Sequence, residues 1–98
     1  MRELEEIKRI LRAHKADLAE RFKVKSIGIF GSYVRGEQGE RSDLDILVDM
    51  DAEHQTFRNY MALKFYLEEL LGGKVDVVLK DSVDRRLKER IFRSVVNV

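Results

Sequence analysis

At 98 residues the chain has room for one small core, and a domain of this size buries a smaller share of its surface than a large one. Its 44% hydrophobic and 38% charged residues exclude both a disordered tail and a membrane protein. Nineteen Lys and Arg against eighteen Asp and Glu leave a formal net charge of +1, short of the basic excess of a dedicated nucleic-acid binder, and the absence of cysteine removes disulfides and thiolate metal sites.

The N-terminus, Met1-Arg-Glu-Leu-Glu-Glu-Ile, places charge in every turn and offers no apolar run for a signal peptide or membrane span, so a soluble, cytoplasmic protein is expected. From Arg2 to about Phe22, Leu4, Ile7, Leu11, Leu18 and Phe22 recur at helical spacing and predict one amphipathic helix. Val24 to Phe30 reads as a first strand. Gly31-Ser32 breaks it, a short helical turn starts at Ser32, and Glu37 to Ser42 form a flexible stretch. Asp43 to Asp49 alternates acidic and aliphatic residues before turning apolar, the pattern of a second strand; Asp49 is expected to cap the next helix. That long helix is predicted from about Ala52 to Leu71, closed by Gly72-Gly73. Lys74 to Lys80 is a third, β-branched strand, and Ser82 caps a last helix of about a dozen residues bearing Leu87, Ile91 and Val95. No repeat or linker interrupts the chain. The expectation is a single α/β (α+β) domain over residues 1–98, of order αβαβαβα on a three-stranded mixed sheet.

Strand alternation puts Asp43 and Asp45 on one face and Leu44 and Ile46 on the other. Asp76 stands between Val75 and Val77, and if strand three lies beside strand two it joins the pair. Three carboxylates so close need a cation to stay ionised at neutral pH, and all-oxygen ligands favour magnesium. Gly31-Ser32 opens a turn whose backbone N–H groups can face an anion, with glycine letting a phosphate approach the chain. For that turn to meet the acids, strands one and two should run antiparallel. A triphosphate would then bridge the two halves, with its outer phosphates on Gly31-Ser32 and its metal ions on the carboxylates, as two-metal phosphoryl chemistry requires. Asp76 could also accept the proton of an attacking hydroxyl.

Gly31-Ser32, ten intervening residues and Asp43-Leu-Asp45-Ile together resemble the signature of the DNA polymerase beta-like nucleotidyltransferase superfamily. The string GSYVRGEQGERSDLDILVD resembles its minimal, or MNT, branch, and Lys74-Val-Asp76-Val-Val matches that branch's third-carboxylate strand. The resemblance covers nearly the whole chain. It implies Asp43, Asp45 and Asp76 as catalytic residues and ligands of two Mg2+ ions, Gly31 and Ser32 as the phosphate seat, and Arg35 as an arginine that steadies phosphate or loop. It also implies ATP as AMP donor and a HEPN-domain toxin as partner, silenced by adenylylation of a tyrosine hydroxyl. The alternative is a non-catalytic antitoxin that masks its HEPN partner by contact alone; a nucleic-acid adaptor is a third reading.

Other residues carry blander readings. His14 and His54 share no metal-ligand spacing and read as surface or packing residues. Tyr33, Tyr60 and Tyr66 read as helix residues, and the mixed-sign run Asp84 to Arg90 as a solvated helix face.

Overall fold

The computed structural model describes residues 3–37, 39 and 43–98. The start of the predicted first helix at Arg2 and most of the predicted flexible stretch, residues 38 and 40–42, lie outside the described residues.

The chain runs α1 (Leu4–Ala13), α2 (Lys15–Phe22), β1 (Val24–Phe30), α3 (Ser32–Arg35), β2 (Leu44–Met50), α4 (Phe57–Leu71), β3 (Val75–Leu79), α5 (Arg85–Ser94) and β4 (Val96–Asn97). The sheet order is β3-β2-β1-β4, with β1 antiparallel to β2 and β4, and β2 parallel to β3. The mixed sheet and the antiparallel first pair are as predicted. The parallel pair is joined by α4, the long crossover that parallel strands require. Ile29, Leu44, Ile46, Val48 and Val75 are wholly buried in one core with Ile7, Leu11, Leu63 and Leu67 of α1 and α4. The opposite face of β2 carries Asp45, Leu47 and Asp49. No described helix is long and apolar enough to cross a membrane.

Four features depart from the sequence reading. The sheet has four strands, not three. The last helix stops at Ser94, and the valine-rich segment after it extends along β1, pairing Val96 with Ile29 and Asn97 with Gly28. That covers an edge which would otherwise leave backbone groups unpaired. Its N-cap is Asp84, which accepts the Arg86 N–H at 2.9 Å, while Ser82 ends a 3₁₀ turn, Lys80–Ser82. The first helix is broken at His14. In a continuous helix the Ile10 carbonyl would take the His14 amide; instead the His14 ring nitrogen donates to it at 2.8 Å and the amide turns to Leu11. Finally, Ala52–His54 is a 3₁₀ turn, and Thr56 caps α4 by accepting the Asn59 N–H at 3.1 Å. Asp49 is no cap; it stays in β2 opposite Ser26.

Strand β3 lies at the sheet edge, and α4 closes that edge with side chains. Glu68 accepts the Val75 N–H at 3.1 Å, Lys64 donates to the Val75 carbonyl at 2.8 Å, and the Tyr60 hydroxyl donates to the Val77 carbonyl at 2.8 Å. These bonds flank Asp76 on both sides and fix its strand. Glu68→Ala leaves the buried Val75 N–H without its partner and should cost about 1–3 kcal/mol in urea unfolding. Its exposed neighbour serves as the control: Glu69→Ala should stay within about 0.5 kcal/mol of the parent.

Candidate active site

The site forms where β1 ends beside the start of β2. Register pairs Phe30 with Asp45 across the antiparallel ladder, and Asp45 with Asp76 across the parallel one. Asp43 immediately precedes β2, so the three carboxylates and the turn after β1 gather at one end of the sheet, on the face away from α1 and α4. Asp45 is half-buried, whereas Asp43 and Asp76 are exposed.

Gly31 is pressed against this row. Its backbone, at φ 81° and ψ −149°, lies in a region open essentially to glycine alone. A Cβ there would run into the Asp45 carboxylate, with the Asp45 Cγ only 3.0 Å away. The turn and the carboxylate are thus in van der Waals contact, which only a residue without a side chain permits. Within the turn, the Gly31 carbonyl takes the amides of Val34 and Arg35 at 3.1 and 3.2 Å. The amides of Ser32 and Tyr33 have no backbone partner among the described residues, and they are the first N–H groups of the turn.

Charge in the row is already strained. Burial, then the charges of Asp76 and Asp43, push the Asp45 carboxyl above the usual carboxylate range, and Arg35 pulls it back. Arg35 is therefore close enough to sense the acids, while its Nε donates to Glu37 at 3.0 Å. Nothing in the sequence singles out that partner, because an acid two residues beyond an arginine is too common a pattern. Tyr33 belongs to the core, only 5% exposed, and its hydroxyl pKa is raised by burial and then by the Asp43 charge. His14 and His54 are both remote in role, bonded to Ile10 and Asp51.

Among the described residues no three acidic or imidazole side chains close around a single point. The carboxylates form an open row. Such a row does not make a cage for a cation with many protein ligands, but it suits magnesium, which keeps several waters and is held by one or two carboxylates together with substrate phosphates. The donor set therefore fits the ion that the resemblance implies.

The fold is that of a nucleotidyl-transfer domain, and a family model described as a nucleotidyltransferase domain matches residues 11–97. The chain is 52% identical over 95 residues to the protein adenylyltransferase MntA of Thermococcus cleftensis, covering 97% of this chain and 95% of that one. A solved structure described as a candidate minimal nucleotidyltransferase superposes with a TM-score of 0.84 at 34% identity, over 99% of this chain and 97% of the other. A toxin–antitoxin structure with AMP-PNP matches with a TM-score of 0.70 at 26% identity, over 87% of this chain and 69% of that one. The chain belongs to the nucleotidyltransferase domain family, in its minimal branch.

Proposed function

We propose that the chain, residues 1–98, is one nucleotidyltransferase domain that moves AMP from ATP to a tyrosine hydroxyl of a HEPN-domain toxin and thereby acts as its antitoxin. The observation that carries this reading is the contact of Gly31 with Asp45, in register with Asp76. It sets a phosphate-sized turn against a row of carboxylates with no side chain between them. The name of the Thermococcus cleftensis relative and the nucleotide in the toxin–antitoxin structure support the choice of AMP donor and of a protein acceptor.

In this reading the amides of Ser32 and Tyr33 take the outer phosphates, and Arg35 steadies the triphosphate from the open side. Asp43, Asp45 and Asp76 hold two divalent cations, which when bound neutralise charge on the attacking and leaving oxygens. The tyrosine oxygen forms a bond to the α-phosphorus, and the bond from that phosphorus to the bridging oxygen breaks. Diphosphate leaves, and Asp76, the exposed carboxylate on the side away from Gly31, takes the hydroxyl proton. The work belongs in the cytoplasm, where ATP and magnesium are supplied.

Diphosphate release reports this reaction directly. With ATP, magnesium and the HEPN partner, diphosphate should accumulate in step with partner consumed and stop on addition of EDTA. Release that continues unchanged in EDTA would count against the carboxylate row as a cation site.

A further inference from the structure

On the face of the sheet that carries the carboxylates, a groove of about 290 Å3 lies between β1, β2 and the segment after α5. Register partners Gly28 and Leu47 form its floor, Phe92, Val95 and Asn97 its wall, and Lys80 its lip. Gly28 lets that wall lie directly on the strand: a Cβ there would sit 2.6 Å from Val95 Cγ2 and 3.4 Å from Asn97 Oδ1. The Asn97 carboxamide is thereby held over the floor, and among the described residues it makes no side-chain hydrogen bond. The Phe92 ring is 41% exposed, with the ammonium groups of Lys80 and Lys88 at 5.5 and 5.9 Å from its centre. The groove is thus apolar below, positive at the rim, and provided with one free amide.

Leu47 lies two residues beyond Asp45 on the same face, roughly 7 Å along the strand. A nucleotide whose phosphates sit on the Ser32 and Tyr33 amides beside Asp45 brings its base over Leu47 and Gly28 if the ribose tracks the strand. The volume stands at the small end of ligand pockets, which begin at roughly 300 Å3, and suits a flat base better than a folded peptide.

We propose that this groove is the base subsite of the nucleotide, and that Asn97 reads adenine there. The carboxamide oxygen accepts from the exocyclic amino group while the amide nitrogen donates to N7, a pairing that adenine alone among the purines satisfies. Guanine offers acceptors at both positions and leaves the Asn97 oxygen facing an acceptor. The inference rests on the nucleotidyl-transfer function proposed for the site and assigns the residue that reads the adenine of its ATP donor.

Calorimetric titration of the full chain with ATP, GTP and inorganic triphosphate, each with magnesium, tests it. Asn97→Ala should weaken ATP binding roughly tenfold or more and erase the preference over GTP. Ser26→Phe, at the mouth of the groove, should weaken ATP and GTP alike. Triphosphate binding should be unchanged in both variants, which shows that the phosphate seat and the fold survive. ATP binding untouched by both changes overturns the base subsite, whether or not transfer to the partner suffers, and so does an equal loss for triphosphate. A wild-type chain that binds triphosphate as tightly as ATP also overturns the base subsite, but leaves the phosphate seat standing. Failure of the wild-type chain to bind either ligand sinks the nucleotide reading itself.

Discussion

Asp45→Asn should lower AMP transfer on the order of a thousandfold and at the same time raise the thermal stability of the metal-free protein at neutral pH. The two effects have one origin. Asp45 is half-buried between Asp76, its register partner, and the Gly31 backbone, with Asp43 two residues before it. Burial and these two charges raise its pKa in the folded chain above its unfolded value. A carboxyl raised on folding binds its proton more tightly in the native state, so its stabilising contribution is complete below the unfolded pKa and is lost as pH rises through the folded one. Asparagine keeps the shape and removes that loss. In magnesium-free buffer the melting temperatures of parent and variant should therefore converge in acid and separate toward neutral pH, with the variant higher. A variant less stable than the parent at pH 7 would contradict the electrostatic account of the row.

Gly31→Ala is the second large effect, and it acts through geometry. The backbone region that Gly31 occupies costs other residues of the order of 1–3 kcal/mol, and the added methyl collides with the Asp45 carboxylate. Relief requires either the turn or the carboxylate to move, and both belong to the same site. Urea unfolding should show a loss of at least about 1 kcal/mol, and magnesium-dependent triphosphate binding should fall by more than that destabilisation explains. Gly36→Ala offers the contrast. Gly36 also has a positive φ, 71°, but a Cβ there meets nothing within 4 Å, so it should cost stability without affecting binding.

Much of this site is legible in residue order because its parts obey short-range rules. Alternation in Asp43-Leu-Asp45-Ile assigns faces, and the glycine–serine break marks the turn. Asp76 is legible for a similar reason: Val75 and Val77 must both face the core, and a one-residue slip would bury the acid. What alternation does not give is the neighbour, and the Asp45–Asp76 register emerges only with the parallel pairing of β2 and β3. An acid inside an apolar strand reads as one in need of compensation, yet Asp76 is exposed, so its face of the sheet supplies water in place of a buried partner. The fourth strand is hidden from periodicity because Val95 and Val98 continue the helical spacing of Leu87 and Ile91 while being β-branched, and the open edge of β1 decides between them. The break at His14 is equally invisible. Leu11 and Leu18 are seven residues apart, two full turns, so the apolar stripe passes the break without a gap.

The base groove illustrates the same limit. Gly28, Leu47 and Asn97 are far apart in the chain; only the pairing of β1 with β2 on one side and with β4 on the other brings them together.

The intact mass of the HEPN-domain toxin proposed as partner, after incubation with this chain, ATP and magnesium, tests the central claim most directly. The wild-type chain should add one or more whole adenylyl units, and Asp43→Asn and Asp76→Asn should add none while still forming the complex. A partner that gains no mass from the wild-type chain, yet is bound and silenced by it, would contradict transfer and leave an antitoxin that works by contact on a nucleotidyltransferase fold.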